Sequence, residues 1–141
     1  MELKDFVAPV PLPGPVPDPD ADNSTGAIVG VTQIGQWHAL IASYDTTPKG
    51  CAEARADVAH FAQALSGQGL EGRDLYIVRT TISNNYAVSV DAGDDRALAN
   101  QISATIRRLH HPDGTGRDSF VQGNRGWVID PECASFATLS G

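Results

Sequence analysis

The residues able to do chemistry are few and scattered. Cys51 and Cys133 are the only cysteines, and His38, His60, His110 and His111 are the only histidines. His110-His111-Pro112-Asp113 brings metal-ligand types close together. A zinc site needs several ligands converging on one point, whereas adjacent histidines diverge on a helix and no zinc-finger spacing accompanies them. The run therefore reads as a helix C-terminal cap. Asp91, Asp94 and Asp95 could make an acidic pair, but N-capping accounts for Asp94 and its neighbour. His38 alternates with core positions in a strand and His60 lies beside Phe61 in a helical stretch; both read as structural or solvated. Gly114 and Gly116 precede a strand and not a helix, so they form no phosphate loop. No Ser/His/Asp order occurs in a nucleophile-elbow context. The expectation is a protein with no catalytic residues, no metal and no cofactor.

The elements that would position these residues are regular from Gln36 onward. Trp37–Tyr44 is a short apolar run that predicts a buried strand. Thr46-Thr47-Pro48 supplies a threonine cap with proline at the first helical position, and Ala54, Val58, Phe61 and Leu65 make one stripe of a helix ending near Gly67–Gly69. Leu75–Ser83 and Tyr86–Val90 are β-branched and alternating, with Asn84-Asn85 as the turn of a hairpin. Asp94 caps a second helix with Leu98, Ile102, Ile106 and Leu109 on one face, ended by Pro112-Asp113-Gly114. Within 118–130, Gly123-Asn124-Arg125-Gly126 predicts a second hairpin, with Ser119–Gln122 going out and Trp127–Asp130 returning. The order β-α-β-β-α-β predicts an α+β fold: a single antiparallel sheet, both helices on one face, and an added C-terminal hairpin strand. The opposite sheet face is expected to be open and to be where such a fold works.

The first 35 residues differ in kind. Pro9, Pro11, Pro13, Pro15, Pro17 and Pro19 alternate with small or apolar residues, the pattern of a semi-rigid polyproline II spacer. Asp18–Asp22 resembles the opening of a calcium loop, but Asn23 and Val29 stand where the turn glycine and the bidentate glutamate belong. Ala27–Gln33 could add a short edge strand. The domain reading is thus a linker over 1–35, an α/β domain over 36–133 and a tail over 134–141. Ten Lys and Arg against 17 Asp and Glu give a net charge of -7, which argues against nucleic acid as a partner. No apolar run is long enough to span a membrane, and no secretory h-region follows Met1.

The second hairpin has a consequence for the cysteines. A single strand over 118–130 would carry Cys133 to the far edge of the sheet, whereas a returning chain brings it toward Cys51 at the start of the first helix. A Cys51–Cys133 disulfide is therefore expected, and it would place the domain in an oxidising compartment. The alternative is two unrelated thiols.

Surface binding is easier to motivate than catalysis. Trp37, Tyr44, Tyr86 and Trp127 offer rings for stacking on sugars, and Arg79, Asn84, Asn85, Gln122, Asn124 and Arg125 offer polar groups. Core packing would equally explain the tryptophans, and turn geometry the asparagines. The segments Trp37–Tyr44, the alanine-rich helix with Ala52, Ala54, Ala56, Ala59 and Ala62, Asn84–Ile102 and Asp118–Gln122 resemble the SPOR (sporulation-related repeat) family. The resemblance implies a non-catalytic β-α-β-β-α-β domain, tethered by a proline-rich spacer, that recognises peptidoglycan glycan strands stripped of stem peptides in the bacterial cell envelope. Leu40 and Asp91 depart from the glutamine and glycine usual in that family. On this reading the ligand contacts are Ser43, Arg79, Asn84, Asn85 and Tyr86, and the protein is a monomer in the periplasm or otherwise outside the cytoplasm. The rival is a protein–protein interaction module that regulates an attached or partner enzyme.

Overall fold

The computed structural model describes residues 33–141. The proline-rich spacer, the calcium-like run and nearly all of the proposed Ala27–Gln33 strand lie outside the described residues.

The elements follow the predicted order: β1 (Trp37–Asp45), α1 (Pro48–Ala64), β2 (Asp74–Thr80), β3 (Asn85–Asp91), α2 (Arg96–Arg108) and β4 (Phe120–Gly123). Three short elements complete the chain: β5 (Trp127–Val128), a 3-10 turn (Pro131–Cys133) and β6 (Phe136–Thr138). All strand pairs are antiparallel, in the order β4-β1-β3-β2-β5, with β6 also pairing β2. This is the single-sheet α+β fold that the sequence predicts. Both helices pack on one face of the sheet. Ala54, Val58, Phe61 and Leu65 of the α1 stripe join Ala99, Ile102 and Ile106 of α2 and Ala39, Ile41, Ile77, Val88 and Val90 of the sheet in one cluster.

Local chemistry sets the helix starts. Thr47, one residue after the first threonine of the pair, caps α1 by accepting the Gly50 amide at 3.0 Å, with Pro48 next in line. A Cβ at Gly50 would stand 2.0 Å from the carbonyl oxygen of Asp45, so only glycine lets the helix start dock on the end of β1. Asp95, and not Asp94, caps α2 by accepting the Leu98 amide at 2.9 Å. In the β2–β3 turn Asn84 takes a left-handed φ of 55°, which asparagine tolerates better than most residues.

Three features differ from the sequence reading. First, the glycine-flanked turn at Asn124–Gly126 exists, but β4 and β5 do not pair as a hairpin. β4 pairs the start of β1, and β5 pairs the end of β2 at the other sheet edge. In a flat sheet four strand spacings alone separate these edges by roughly 19 Å. Four residue steps reach at most about 14 Å, and the Trp127 amide donating to Asn124 O at 3.0 Å shortens them further. The sheet must therefore curl so that diagonal corners approach. The turn fastens them: the Asn124 amide donates to Gln36 O at 3.0 Å, and the Thr81 amide donates to Gly126 O at 2.8 Å.

Second, the face opposite the helices is not open. His38, Leu40, Tyr76, Val78, Ala87 and Ser89 are each at most 5% exposed. Trp127 lies with its ring 4.7 Å from that of His38, and Phe136 stacks at 6.3 Å on Tyr76. Third, the residues read as a tail belong to the domain, since β6 pairs Asp74–Tyr76 and Leu139 is buried. The three-residue run Phe136–Thr138 is too short for its periodicity to announce a strand.

Cys51 and Cys133 form the expected disulfide, with Cα atoms 5.7 Å apart and a sequence separation of 82. The bridge ties the 3-10 turn to the first turn of α1.

Candidate functional site

The residues proposed as ligand contacts share one end of the sheet, because Ser43, Asn85 and Tyr86 lie close in the β1–β3 register and Arg79 faces Tyr86 across β2–β3. They do not form one surface. Arg79 and Tyr86 lie on the helix side. The Arg79 Nε stands 3.3 Å from Asp130 Oδ2, and the Tyr86 hydroxyl donates to the same oxygen at 3.5 Å. Burial, then the Asp130 charge, raises the Tyr86 phenol above its ordinary pKa. Asp130 also caps the 3-10 turn by accepting the Glu132 amide at 2.9 Å. This pair therefore holds the turn that carries Cys133. Ser43 is exposed on the opposite face. Asn85 accepts from Thr80 and Ser83 hydroxyls, and Asn84 supplies the left-handed turn.

The aromatic rings are engaged as well. Arg96 stands 4.7 Å over the Trp37 ring, which otherwise packs on the core. Trp127 is buried against His38, with an indole N–H that has no acceptor among the described residues. The Tyr44 hydroxyl donates to Asp57. Burial raises both groups above their ordinary pKa values. Around them the His60 and His111 rings lie 4.4 Å apart, tilted by 58°, and the Asp113 amide donates to His111 Nδ1 at 3.1 Å. His110 caps α2 as expected, its Nδ1 lying 2.9 Å from Arg107 O. Among the described residues no group of three His, Cys, Asp or Glu side chains is placed to hold a metal ion.

One constellation was not legible in the sequence. His38 and Asp91 are partners across β1–β3, and Ser89 lies two residues back on the same face. His38 Nε2 lies 2.9 Å from Gly35 O, which can only accept, so the neutral ring carries its proton there. Nδ1 then accepts from the Ser89 hydroxyl at 3.0 Å. Asp91 accepts from the Gly35 amide at 2.9 Å, the Gly93 amide at 2.7 Å and the Tyr76 hydroxyl at 2.7 Å. Burial pushes the Asp91 carboxyl up, but these donors and His38 outweigh it and hold the group below the ordinary carboxylate range. Desolvation lowers the His38 pKa despite Asp91 and Gly35. The side-chain types are those of a hydrolytic triad, yet Ser89 and His38 are both 0% exposed and Nε2 serves a backbone carbonyl. As folded, this trio locks Gly35, β1 and β3 together and presents no nucleophile.

Several clefts remain accessible among the described residues, one of them, of about 320 Å³, at Thr47, Cys51, Arg55, Tyr86 and Glu132 beside the start of α1. A polar cleft of about 550 Å³ is lined by Gln33, Gln36, Asp91, Asp94 and Asn124 with Gly35 and Gly93. On the other side, β4 covers β1 only from Trp37 to Leu40, so Ile41–Tyr44 have no strand on that edge among the described residues. A cavity of about 260 Å³ bounded by Leu40–Ser43, Gly114–Gly116, Asp118 and Phe120 lies along this edge. A second, of about 290 Å³, is lined by Ser43–Asp45, Thr47, Lys49 and Glu53.

No protein-family model matches the chain, and neither a curated protein nor a solved structure matches it.

Proposed function

We propose that this domain is a non-catalytic binding module, working in an oxidising compartment outside the cytoplasm, whose ligand is a protein. The observation that carries this reading is the filled sheet face: His38, Leu40, Tyr76, Val78, Ala87 and Ser89 are buried there, while half of the β1 edge keeps unpaired backbone among the described residues. Sugar recognition wants a ring presented flat to the ligand, and Trp37, Trp127 and Tyr86 are each already engaged. The disulfide supports the compartment, because reducing cytosols rarely maintain such bridges.

A SPOR-like domain binding peptidoglycan glycan is the second reading. The polar cleft favours it, since its amides and carboxylates suit sugar hydroxyls. Co-sedimentation of the full chain with bacterial sacculi, intact and after amidase removal of stem peptides, separates the two. The protein-ligand reading expects the pelleted fraction to match that of a control without sacculi in both cases. Selective retention on stripped glycan, reduced several-fold by combining Gln36→Ala with Asn124→Ala, would establish the glycan reading instead.

A further inference from the structure

The two edges of the sheet are treated differently by the chain. The β2 edge is covered from end to end: β6 pairs Asp74–Tyr76, the Ile77 amide donates to Ser135 O at 3.2 Å, β5 pairs Arg79–Thr80, and the Thr81 amide donates to Gly126 O. Two short strands and a turn are used to seal it. The β1 edge stops being paired at Leu40, although β1 runs on to Asp45. At the far end Asp45 O already accepts the Thr47 amide at 2.9 Å, which leaves Ile41–Tyr44 as the open stretch among the described residues. Exposed edges of this kind are templates for an added strand, and proteins that do not use them cover or blunt them.

The surroundings of this stretch are those of a binding groove. Leu40, Ile41 and Ala42 line the first cavity, and Phe120, 54% exposed, stands beside it where β4 begins. The two cavities share Ser43 in their linings and lie at successive positions along β1. The length of the open stretch suits a segment of four or five residues laid in line with β4. The charged side chains lining the two cavities are Asp118, Asp45 and Glu53 against Lys49 alone. A bulge between Leu40 and Ala42 in the β1–β3 ladder re-aims the side chains of this stretch.

Resting on the protein-ligand reading above, we propose that the Ile41–Tyr44 edge of β1 receives a short extended peptide that carries basic side chains and adds to the sheet as a strand antiparallel to β1. Backbone hydrogen bonds supply the docking, the exposed Phe120 ring takes an apolar side chain, and the three carboxylates select lysine or arginine at the rim. The same carboxylates disfavour a second copy of this chain, because two-fold pairing of the edge would set acid against acid.

The test uses the isotopically labelled full chain and two capped heptapeptides, one alternating valine with lysine and one alternating valine with glutamate. The lysine peptide is expected to shift the backbone amide resonances of Ile41–Tyr44 and Phe120 and to slow exchange of the edge amides, whereas the glutamate peptide leaves them unchanged. Combining Asp118→Lys with Glu53→Lys, both at exposed positions, is expected to weaken the lysine peptide at least tenfold and to admit the glutamate peptide. Equal responses to both peptides, shifts confined to another surface, no shifts at all, or edge pairing between copies without peptide would each overturn the proposal. Those results concern the edge alone. Selective retention on stripped sacculi would instead overturn the protein-ligand reading, so the two failures are distinguishable.

Discussion

Replacing both Cys51 and Cys133 by serine is expected to lower the free energy of unfolding by about 4–5 kcal/mol, the chain-entropy value for a bridge closing a loop of this length. The bridge spans 82 residues and encloses every element from α1 to the 3-10 turn. Without it, the unfolded chain regains the freedom that the bridge removes. The folded state suffers too, because Cys133 is fully buried and a serine hydroxyl there would need an acceptor. Domains of this size have a total stability of only about 5–15 kcal/mol, so the double variant is expected to be marginal. Urea unfolding of the oxidised protein, the reduced protein and the double variant measures the effect. A loss below about 1 kcal/mol would show that the native contacts around the 3-10 turn hold without the bridge. The expected loss also reaches the surface, since Asp130, the partner of Arg79 and Tyr86, stands three residues from Cys133.

Asp91→Ala is expected to cost about 3–5 kcal/mol, from several donors losing one charged acceptor. The Gly35 amide, the Gly93 amide and the Tyr76 hydroxyl all end on this carboxylate, and Tyr76 is only 1% exposed. Asp91→Asn is expected to be nearly as damaging, because an amide brings N–H donors to a site that supplies donors already. A near-neutral Asp91→Asn variant would contradict this account of the network. The same cluster gives stability a pH dependence. The folded-state pKa of His38 lies below its ordinary 6.5, so the unfolded chain takes up a proton that the folded one refuses. Stability is therefore full above pH 6.5 and falls as the pH drops from there through the folded-state value. Asp91, held below its ordinary 3.8, adds a second loss below pH 3.8, as the unfolded carboxyl protonates first. Chemical denaturation at a series of pH values checks the sign, and His38→Gln is expected to remove the upper phase only.

The helices and the first four strands could be read from the chain because their signals are local. The stripe Ala54, Val58, Phe61 and Leu65 repeats at helical spacing, and Leu75–Thr80 alternates around a fixed turn. The disulfide is legible too, although the predicted hairpin that brings its cysteines together is a turn between opposite sheet edges. What could not be read depends on register and curvature. Nothing in the spacing of His38, Ser89 and Asp91 says that they meet; only the pairing of His38 with Asp91 across β1–β3 brings them together. The five contacts proposed from the sequence share one end of the sheet, but strand alternation divides them between its faces, and turn or ion-pair duties occupy four of them. The open β1 edge is not written in its own residues, because an edge is a property of its neighbours: β4 pairs β1 only as far as Leu40.

The measurement that tests the central claim most directly is the fluorescence of Trp127 in a Trp37→Phe variant titrated with peptidoglycan glycan strands freed of stem peptides. The account holds that the sheet face opposite the helices is closed by the protein's own side chains, with Trp127 buried against His38. It predicts a blue-shifted emission, weak quenching by acrylamide, and no change in either as glycan is added. A saturable shift or quench on glycan addition would show that this face opens to the ligand, and the protein-ligand reading would give way to glycan recognition.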